Sequence, residues 1–239
     1  MSTLQGKSAL ITGGSKGIGY AIAEAMVSQG MNVMITARSE NDLIQAAQAL
    51  AKAGTGKVEW MTSDVRKLED EKVAVGKTID AFGSLDVLIA NAGVGHFGSI
   101  QDMSVQQWHD VIDINLTGVF NSVKASLTAL EASKGYIITI ASLAGTNFFA
   151  GGAAYNASKF GLVGFTQAIM LDLRKIGIKV STIMPGSVAT YFNGRTPSDA
   201  DAWKIQPEDI GQMVIDLLQM PARTLPSKVE MRPSIPKSI

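Results

Sequence analysis

Tyr155 and Lys159 stand four residues apart, and Ser142 precedes the tyrosine by thirteen residues. Residues four apart share one face of a helix, so the lysine ammonium is expected beside the phenol. A free tyrosine has a pKa of about 10, which makes it a poor acid or base at neutral pH. A neighbouring cation lowers that pKa, and a serine hydroxyl could hold the substrate oxygen beside the phenol. The alternative is a surface Tyr–Lys pair without a chemical role.

A glycine-rich segment, Thr12–Gly19, lies between the first predicted strand and the first predicted helix. Glycines at such a turn let the backbone approach a diphosphate, whose charge meets the free amides of the helix N-terminus. The spacing Gly-x3-Gly-x-Gly differs from the usual dinucleotide fingerprint, and no complete P-loop motif is present. The segment predicts dinucleotide contacts from Gly13, Ser15, Lys16, Gly17, Ile18 and Gly19.

The residues after the second predicted strand bear on which dinucleotide binds. An acid at this position would bind the ribose hydroxyls of NAD, but the segment Thr36–Ser39 contains no carboxylate. Arg38 and Lys16 can converge on the adenosine end, where a 2′-phosphate needs cations. We therefore predict a preference for NADP(H). The alternative is that both side chains are solvated surface charges.

Short apolar runs alternate with longer amphipathic runs, and several of the short runs are apolar on both faces, as in a parallel sheet covered by helices. Strands are predicted at Ser8–Ile11, Asn32–Thr36, Val58–Met61, Val87–Ala90, Tyr136–Ile140, Lys179–Met184 and Lys228–Met231. Helices are predicted at Gly17–Gln29, Glu40–Ala53, Leu68–Phe82, Ser104–Leu130, Ala153–Lys175 and Pro207–Leu218. This alternation predicts an α/β fold: a single Rossmann-like domain over residues 1–239, with a doubly wound parallel sheet of about seven strands.

Two stretches break the alternation. Residues 187–206 are polar, contain Gly194 and Pro197, and precede the last helix, which predicts a lid over a binding cleft. The tail after Met220 is rich in proline, including Pro236 near its end. A strand in such a tail is expected at the edge of the sheet, because proline cannot donate to a hydrogen-bonded ladder.

Composition argues against several classes of protein. The chain is 46% hydrophobic and 18% charged, which favours a large buried core over disorder. Its 21 basic and 21 acidic residues leave no net charge to attract nucleic acid or a membrane surface. There is no cysteine and there are only two histidines, so no metal site is expected. With neither a signal peptide nor a membrane-spanning run apparent, a cytoplasmic protein is expected.

Taken together, the motifs resemble those of the short-chain dehydrogenase/reductase family, and within it the bacterial 3-oxoacyl-thioester reductases and NADPH-dependent carbonyl reductases. The matching residues are the segment Thr12–Gly19, Asp64-Val65, Asn91-Ala92-Gly93, Asn115, Ser142, Tyr155-x3-Lys159 and Pro185-Gly186. Most of them follow predicted strands, at the edge where open α/β sheets bind ligands. The resemblance runs from about residue 5 to residue 192.

The resemblance implies a role for each matching residue. Ser142 would hydrogen-bond the substrate oxygen and Tyr155 would exchange its proton. Lys159 would bind the nicotinamide ribose and lower the tyrosine pKa, while Asn115 would hold a water that links Lys159 to solvent. Further cofactor contacts are implied for Asp64, Val65, Asn91, Ala92, Gly93, Pro185, Gly186, Val188 and Thr190.

The expected substrate is a hydrophobic carbonyl compound, since the residues near the motifs are apolar and aromatic. The candidate pocket residues are Val94, His96, Leu143, Phe148, Phe149, Tyr191, Phe192 and Trp203. The expected reaction is reversible, NADP(H)-dependent reduction of a 3-oxoacyl, 3-oxoester or similar ketone to a secondary alcohol. The alternatives are a non-catalytic NADP(H)-sensing protein, an NAD-preferring alcohol dehydrogenase and a nucleotide-sugar epimerase. The resemblance also implies a homotetramer or homodimer, with small residues in 160–170 compatible with close helix packing.

Overall fold

The computed structural model describes residues 4–235, so residues 1–3 and 236–239 of the predicted domain, including Pro236, lie outside the described range. Within that range seven parallel strands form one sheet in the order β3-β2-β1-β4-β5-β6-β7. The strands are β1 (Ser8–Thr12), β2 (Asn32–Ala37), β3 (Val58–Thr62), β4 (Val87–Ala90), β5 (Tyr136–Ile140), β6 (Lys179–Pro185) and β7 (Lys228–Met231). The predicted fold class is confirmed, and β7 lies at an edge of the sheet as expected.

Helices cover both faces of the sheet, and each face has its own hydrophobic core. The helices are α1 (Gly17–Ser28), α2 (Glu40–Leu50), α3 (Leu68–Phe82), α4 (Val105–Ile112), α5 (Gly118–Ser133), α6 (Ala153–Leu173) and α7 (Pro207–Gln219). The first core packs α1, α2 and α7 against the sheet, and the second packs α3, α5 and α6. Strands β1, β4 and β5 are buried along their whole length, which explains their runs of apolar residues. None of the helices between residues 4 and 235 is long and apolar enough to cross a membrane.

The long helix predicted at Ser104–Leu130 is wrong as a single α-helix. Ser104 caps α4 through a reciprocal capping box with Gln107. A π-helical turn, Asp113–Thr117, then separates α4 from α5, which continues to Ser133. Such turns are frequent at functional sites, and this one contains Asn115. The other predicted boundaries agree with the structure to within three residues.

The chain reverses its direction of winding between β1 and β4, which are neighbours in the sheet although β2 and β3 intervene in the sequence. At such a switch point the loops after the two strands diverge and leave a crevice at the C-terminal edge of the sheet. The segments after β1, β4, β5 and β6 meet at this crevice, so the fold brings the predicted motifs to one place.

Candidate active site

A cleft of about 1220 Å³ opens at the C-terminal edge of the sheet. Within residues 4–235, all the predicted catalytic residues line this cleft except Asn115. All the predicted cofactor contacts line it except Gly19, Asp64 and Val65. All the predicted pocket residues line it except Trp203. Asp64 and Val65 instead line a smaller cavity of about 150 Å³ that shares wall residues with the cleft. The sequence motifs therefore converge on one region of the surface.

The glycine segment is shaped by close backbone approaches. Gly13 and Gly17 have φ angles of +67° and +57°, in the left-handed region that side chains disfavour. A Cβ atom on Gly13 would lie 2.9 Å from the Ala92 Cα atom. A Cβ atom on Gly19 would lie only 2.3 Å from the Gly13 carbonyl oxygen, so Gly19 lets α1 pack against the loop. The structure thus gives Gly19 a packing role, and its contact with the cofactor stays a prediction.

Asn91 and Thr12 lock the glycine segment to the end of β4. The Asn91 Nδ2 atom donates to the carbonyl oxygens of Thr12 and Gly13, at 2.9 and 3.0 Å. The Thr12 hydroxyl accepts from the backbone amides of Asn91 and Ala92, both at 3.1 Å. Sequence reasoning did not assign a role to Thr12, although its position at the strand end, just before the glycines, is a usable signal.

The N-terminus of α1 offers backbone amides to an anion. Within residues 4–235 no side chain caps this helix, and Gly17 and Ile18 of its first turn line the cleft. Free amides and the helix dipole at such an end favour negative charge. With the glycine cradle, this arrangement fits the diphosphate of a dinucleotide. Residues 4–235 contain no group of three or more His, Asp or Glu side chains that could hold a metal ion.

The two predicted adenosine-end cations lie in different surroundings. Both Arg38 and Lys16 line the cleft, and Arg38 also lines the smaller cavity. The Lys16 ammonium, however, lies 2.8 Å from a carboxylate oxygen of Asp42 in α2. The hydrogen bond from Lys16 lowers the pKa of Asp42. Sequence reasoning missed this ion pair, and Arg38 is the more readily available cation.

The loop after β3 forms the wall of the smaller cavity. The Arg66 guanidinium holds the Asp64 carboxylate through both of its oxygens and lowers the pKa of Asp64, so this carboxylate remains ionised at neutral pH. The Asn121 amide donates to the Val65 carbonyl oxygen at 2.9 Å. Arg66 of the same loop and Asn121 of α5 therefore hold Asp64 and Val65, which are predicted to contact the cofactor.

A buried carboxylate, Glu71, lies directly behind this loop. It is fully buried and accepts hydrogen bonds from the Ser63 hydroxyl at 2.7 Å and the Ser122 hydroxyl at 2.6 Å. Burial raises the pKa of Glu71, and the two hydroxyl donors oppose that shift. From sequence, Glu71 was indistinguishable from the neighbouring acids of the first turn of α3.

Glu71→Gln is expected to make folding stability less dependent on pH. Because the folded-state pKa of Glu71 is raised, the folded chain binds more protons than the unfolded chain, and stability falls as pH rises from the unfolded pKa through the folded one. Glutamine does not titrate, and its amide can bond both serine hydroxyls. Denaturant unfolding should therefore show a stability gain for the variant that grows from pH 4 to pH 8.

The control for Glu71→Gln is Glu69→Gln on the same helix, where the exposed carboxylate makes only a surface pair with Lys72. That variant should show little change at either pH. A stability difference for Glu71→Gln that shrinks as pH rises would contradict the linkage.

Lys159 lies on α6, and its side chain is buried. Its side-chain ammonium donates to the Ile140 carbonyl oxygen at 2.9 Å and lies 5.7 Å from the centre of the Tyr155 ring. Burial lowers the pKa of Lys159 to about 8. The i, i+4 prediction of a lysine beside the tyrosine is confirmed in its geometry.

The predicted direction of the Tyr155 pKa shift is wrong for this structure. Burial raises the pKa of Tyr155, and the adjacent Ser142 hydroxyl opposes the shift through a hydrogen bond. The Lys159 ammonium is directed to the Ile140 carbonyl oxygen, and burial lowers its own pKa. Ser142 is held in place by the Ala144 backbone amide, which donates to its Oγ atom at 3.1 Å.

Asn115 lies behind the cleft wall and is fully buried. Its Oδ1 atom accepts from the Val94 amide at 2.8 Å, and its Nδ2 atom donates to the Val94 carbonyl at 2.9 Å. The same Nδ2 atom donates to the Ser158 hydroxyl at 3.1 Å. The π-helical turn thus ties α6 to the segment after β4, which is the role that the structure gives to Asn115.

Two aromatic residues of the pocket lining differ from the prediction. Trp203 stacks against the Lys204 ammonium, 5.8 Å from the ring centre, and does not line the cleft in the described part of the chain. Phe97 was missed, although it lies 5.3 Å from the Tyr155 ring and lines the cleft. Its position four residues after Gly93 is the signal that could have identified it.

The two ends of the segment predicted as a lid, residues 187–206, are hydrogen-bonded to each other. The Ala189 amide donates to the Ile205 carbonyl at 3.0 Å, and the Ile205 amide donates to the Ser187 carbonyl at 3.1 Å. Between these ends the chain extends outward and contributes Thr190, Tyr191 and other residues to the cleft wall. A long surface loop with closely tied ends is a frequent form of functional loop.

Comparison with known proteins identifies the class. A family model described as short chain dehydrogenase matches residues 7–201. An uncharacterized oxidoreductase from Staphylococcus saprophyticus is 36% identical, over 98% of this chain and all of the relative. This chain therefore belongs to the short-chain dehydrogenase/reductase family of oxidoreductases.

Solved structures show the same fold with related cofactors bound. An alcohol dehydrogenase from the archaeon Thermococcus sibiricus, complexed with 5-hydroxy-NADP, has a TM-score of 0.91 and 29% identity, over 98% of this chain and 99% of that one. A variant of the actinorhodin polyketide ketoreductase with NADPH has a TM-score of 0.86 and 32% identity, over 98% of both chains. The chain is similar to both proteins over nearly its whole length.

Proposed function

We propose that this protein is an NADP(H)-dependent reductase that converts a hydrophobic ketone to a secondary alcohol, reversibly, with Ser142, Tyr155 and Lys159 as catalytic residues. The observation that carries the proposal is that the side chains of Ser142, Tyr155 and Lys159 line one cleft together with a glycine cradle. Ketone reduction needs a proton donor and a hydrogen-bond donor at the carbonyl oxygen.

The side chains of this protein supply the proton half of the reaction. A nicotinamide dinucleotide in the cleft would supply the hydride to the carbonyl carbon. Tyr155 gives its proton to the carbonyl oxygen as negative charge develops there, and the Ser142 hydroxyl donates a hydrogen bond to the same oxygen. In the reverse direction Tyr155 accepts the alcohol proton. Burial raises the pKa of Tyr155, so at neutral pH the phenol carries the proton that the carbonyl oxygen would receive.

Lys159 would assist proton transfer from Tyr155 through its positive charge. With a pKa of about 8 it is largely protonated at neutral pH. Its charge would stabilise the phenolate that forms when Tyr155 donates its proton. Asn115 and Ser158 hold this part of α6 to the Val94 segment, which makes Asn115 a positioning residue in this proposal.

The preference for NADP(H) is supported by Arg38 and by the cofactors bound in the two similar structures. Arg38→Leu is expected to raise KM for NADPH by about 10- to 100-fold, the worth of one charge-assisted contact to a phosphate. KM for NADH should change little, because NADH has no 2′-phosphate. Initial rates with each cofactor at a saturating ketone concentration measure this difference.

Two further variants sharpen the cofactor test. Arg174→Leu, at the opposite end of α6 from the cleft, should leave both KM values unchanged. Asp42→Asn should lower KM for NADPH, because it weakens the 2.8 Å pair that holds the Lys16 ammonium. A wild-type protein that prefers NADH, or an Arg38→Leu variant that keeps its NADPH affinity, would overturn the proposed cofactor preference.

The substrate class follows from the lining of the cleft. Val94, Leu143 and several aromatic side chains face the hydroxyls of Ser142 and Tyr155, and this lining suits an apolar carbonyl compound. We infer that residues 187–206 act as a lid over this part of the cleft.

A panel of ketones and 3-oxoesters with NADPH tests the proposed reaction, and the loss of NADPH absorbance at neutral pH measures turnover. NADPH binding without turnover on any ketone would favour a sensing protein.

An oligomer is also part of the proposal. Phe120 on α5 and Phe160 on α6 are 48% and 42% exposed, and Phe120 packs edge-on against Phe165 at 6.3 Å. Exposed aromatic side chains on adjacent helices are typical of a surface covered by another chain. Light scattering coupled to size exclusion would give the number of chains, and a monomer at micromolar concentration would contradict this inference.

A further inference from the structure

Four aromatic rings, including that of Tyr155, form one cluster, and Phe97 is the residue that contacts the other three. Its ring centre lies 5.3 Å from that of Tyr155, 5.9 Å from that of Phe149 and 6.3 Å from that of Phe192. The Tyr155 and Phe192 rings are themselves 5.8 Å apart. The angles between ring planes range from 46° to 64°, which is the tilted arrangement that aromatic pairs prefer.

The backbone is built to allow this cluster. A Cβ atom on Gly95 would lie 2.7 Å from the Phe192 ring and 2.9 Å from the Phe97 ring. A Cβ atom on Gly152 would lie 2.7 Å from the Phe149 ring. The rings come from the loop after β4, from the start of α6 with the turn before it, and from residues 187–206, and the two glycines leave room for them.

The cluster presents apolar surface to the cleft. Phe97 and Phe149 are 44% and 48% exposed, yet both line the cleft in which the Ser142 hydroxyl lies. A ligand whose carbonyl oxygen reaches the Ser142 and Tyr155 hydroxyls would therefore place its adjoining atoms against these rings. Concave apolar surface beside a few polar groups is the usual form of a specific small-molecule site.

A ring on the ligand would use this surface better than an open chain of the same size. A ligand ring can continue the tilted packing at centre-to-centre distances of about 4.5–7 Å, and each ring pair strengthens binding by roughly 2- to 12-fold beyond area burial. A flexible chain buries similar area but loses rotational freedom when it binds. The rigid, angled walls therefore discriminate by shape as well as by polarity.

We propose that Phe97 is the specificity-determining residue of this site, and that the preferred substrates are ketones whose carbonyl carbon carries an aromatic or alicyclic ring. This inference rests on the proposed function and narrows it, since a general ketone reductase would accept open-chain 3-oxoesters equally well. Phe97 acts in it through direct contact with the substrate ring, in addition to its contact with Tyr155.

The experiment compares acetophenone with 2-octanone, two methyl ketones of equal carbon number, with NADPH as cofactor. The wild-type protein should show the higher kcat/KM for acetophenone. Phe97→Leu should lower kcat/KM for acetophenone about tenfold, the loss of one good ring pair, and change that for 2-octanone little. Phe97→Tyr should restore the preference because it restores the ring. Phe82→Leu, which removes a ring at the end of α3, is the matched control and should leave the ratio of the two values unchanged.

Three outcomes would overturn the inference. One is a wild-type protein that prefers 2-octanone, and another is a Phe97→Leu variant with unchanged kcat/KM for both ketones. The third is an equal loss on both ketones, which would make Phe97 a support for Tyr155 only. Turnover of ethyl 3-oxobutanoate separates the two proposals: in any of these three outcomes, its reduction would show that the reductase proposal stands although the ring preference fails. If no ketone is reduced, both fail.

Discussion

Tyr155→Phe is expected to lower kcat for ketone reduction by about 10³-fold, within the range typical for loss of a positioned general acid. The substitution removes one hydroxyl and retains the ring. The ring contacts to Phe97 and Phe192, at 5.3 and 5.8 Å, can therefore persist and keep the site assembled. Affinity for NADPH, measured by fluorescence titration, should stay nearly unchanged, so the loss would lie in the chemical step.

Tyr136→Phe is the matched control for this variant. Tyr136 is also buried, and its hydroxyl bonds the Ser181 hydroxyl at 2.7 Å in β5 and β6, away from the cleft. Its loss should cost about 1 kcal/mol of stability, as for a typical buried hydrogen bond, and leave kcat unaffected. Near-normal turnover in Tyr155→Phe would remove the proposed mechanism.

Lys159→Met is expected to abolish most turnover and, at the same time, to stabilise the protein at neutral pH. The lysine is 5% exposed, and burial lowers its pKa from 10.5 to about 8. That shift corresponds to a cost on the order of 3 kcal/mol for holding the charge in the folded state. Methionine fills a similar volume without this cost, although the hydrogen bond to the Ile140 carbonyl is lost.

The stabilisation should depend on pH in a defined direction. Below the folded pKa of about 8 the lysine is charged in both states and the cost is complete. Between pH 8 and the unfolded pKa near 10.5 the unfolded chain binds more protons, so wild-type stability rises with pH. The advantage of Lys159→Met in denaturant unfolding should therefore be largest at pH 7 and smaller at pH 10. The control is Lys124→Met, on the exposed side of α5, which should show no such trend. A stability advantage of Lys159→Met over wild type that is smaller at pH 7 than at pH 10 would contradict this prediction.

Much of the site was predictable because parallel strands end at one edge of their sheet. The motifs after β1, β4, β5 and β6 could be placed together from strand–helix alternation alone, without knowledge of any contact. The i, i+4 spacing likewise placed Lys159 beside Tyr155. These predictions used only periodicities that are local in sequence.

The features that sequence could not show depend on contacts between distant segments. The π-helical turn contains Asn115, which bonds Val94, a residue 21 positions away in the sequence. The direction of the Tyr155 pKa shift depends on burial, which a helical spacing does not report. The ion pair of Lys16 with Asp42 and the packing of Phe97 on Tyr155 each join different loops or helices.

The most direct test of the central claim is to follow the hydride itself. NADPH carrying deuterium at both C4 positions of the nicotinamide is incubated with the protein and acetophenone, and the product is analysed by mass spectrometry and NMR. The account predicts 1-phenylethanol with one deuterium on its carbinol carbon, formed by the wild-type protein and nearly absent with Tyr155→Phe. The result that would contradict it is a folded wild-type protein that binds NADPH but forms no alcohol from this or any other hydrophobic ketone.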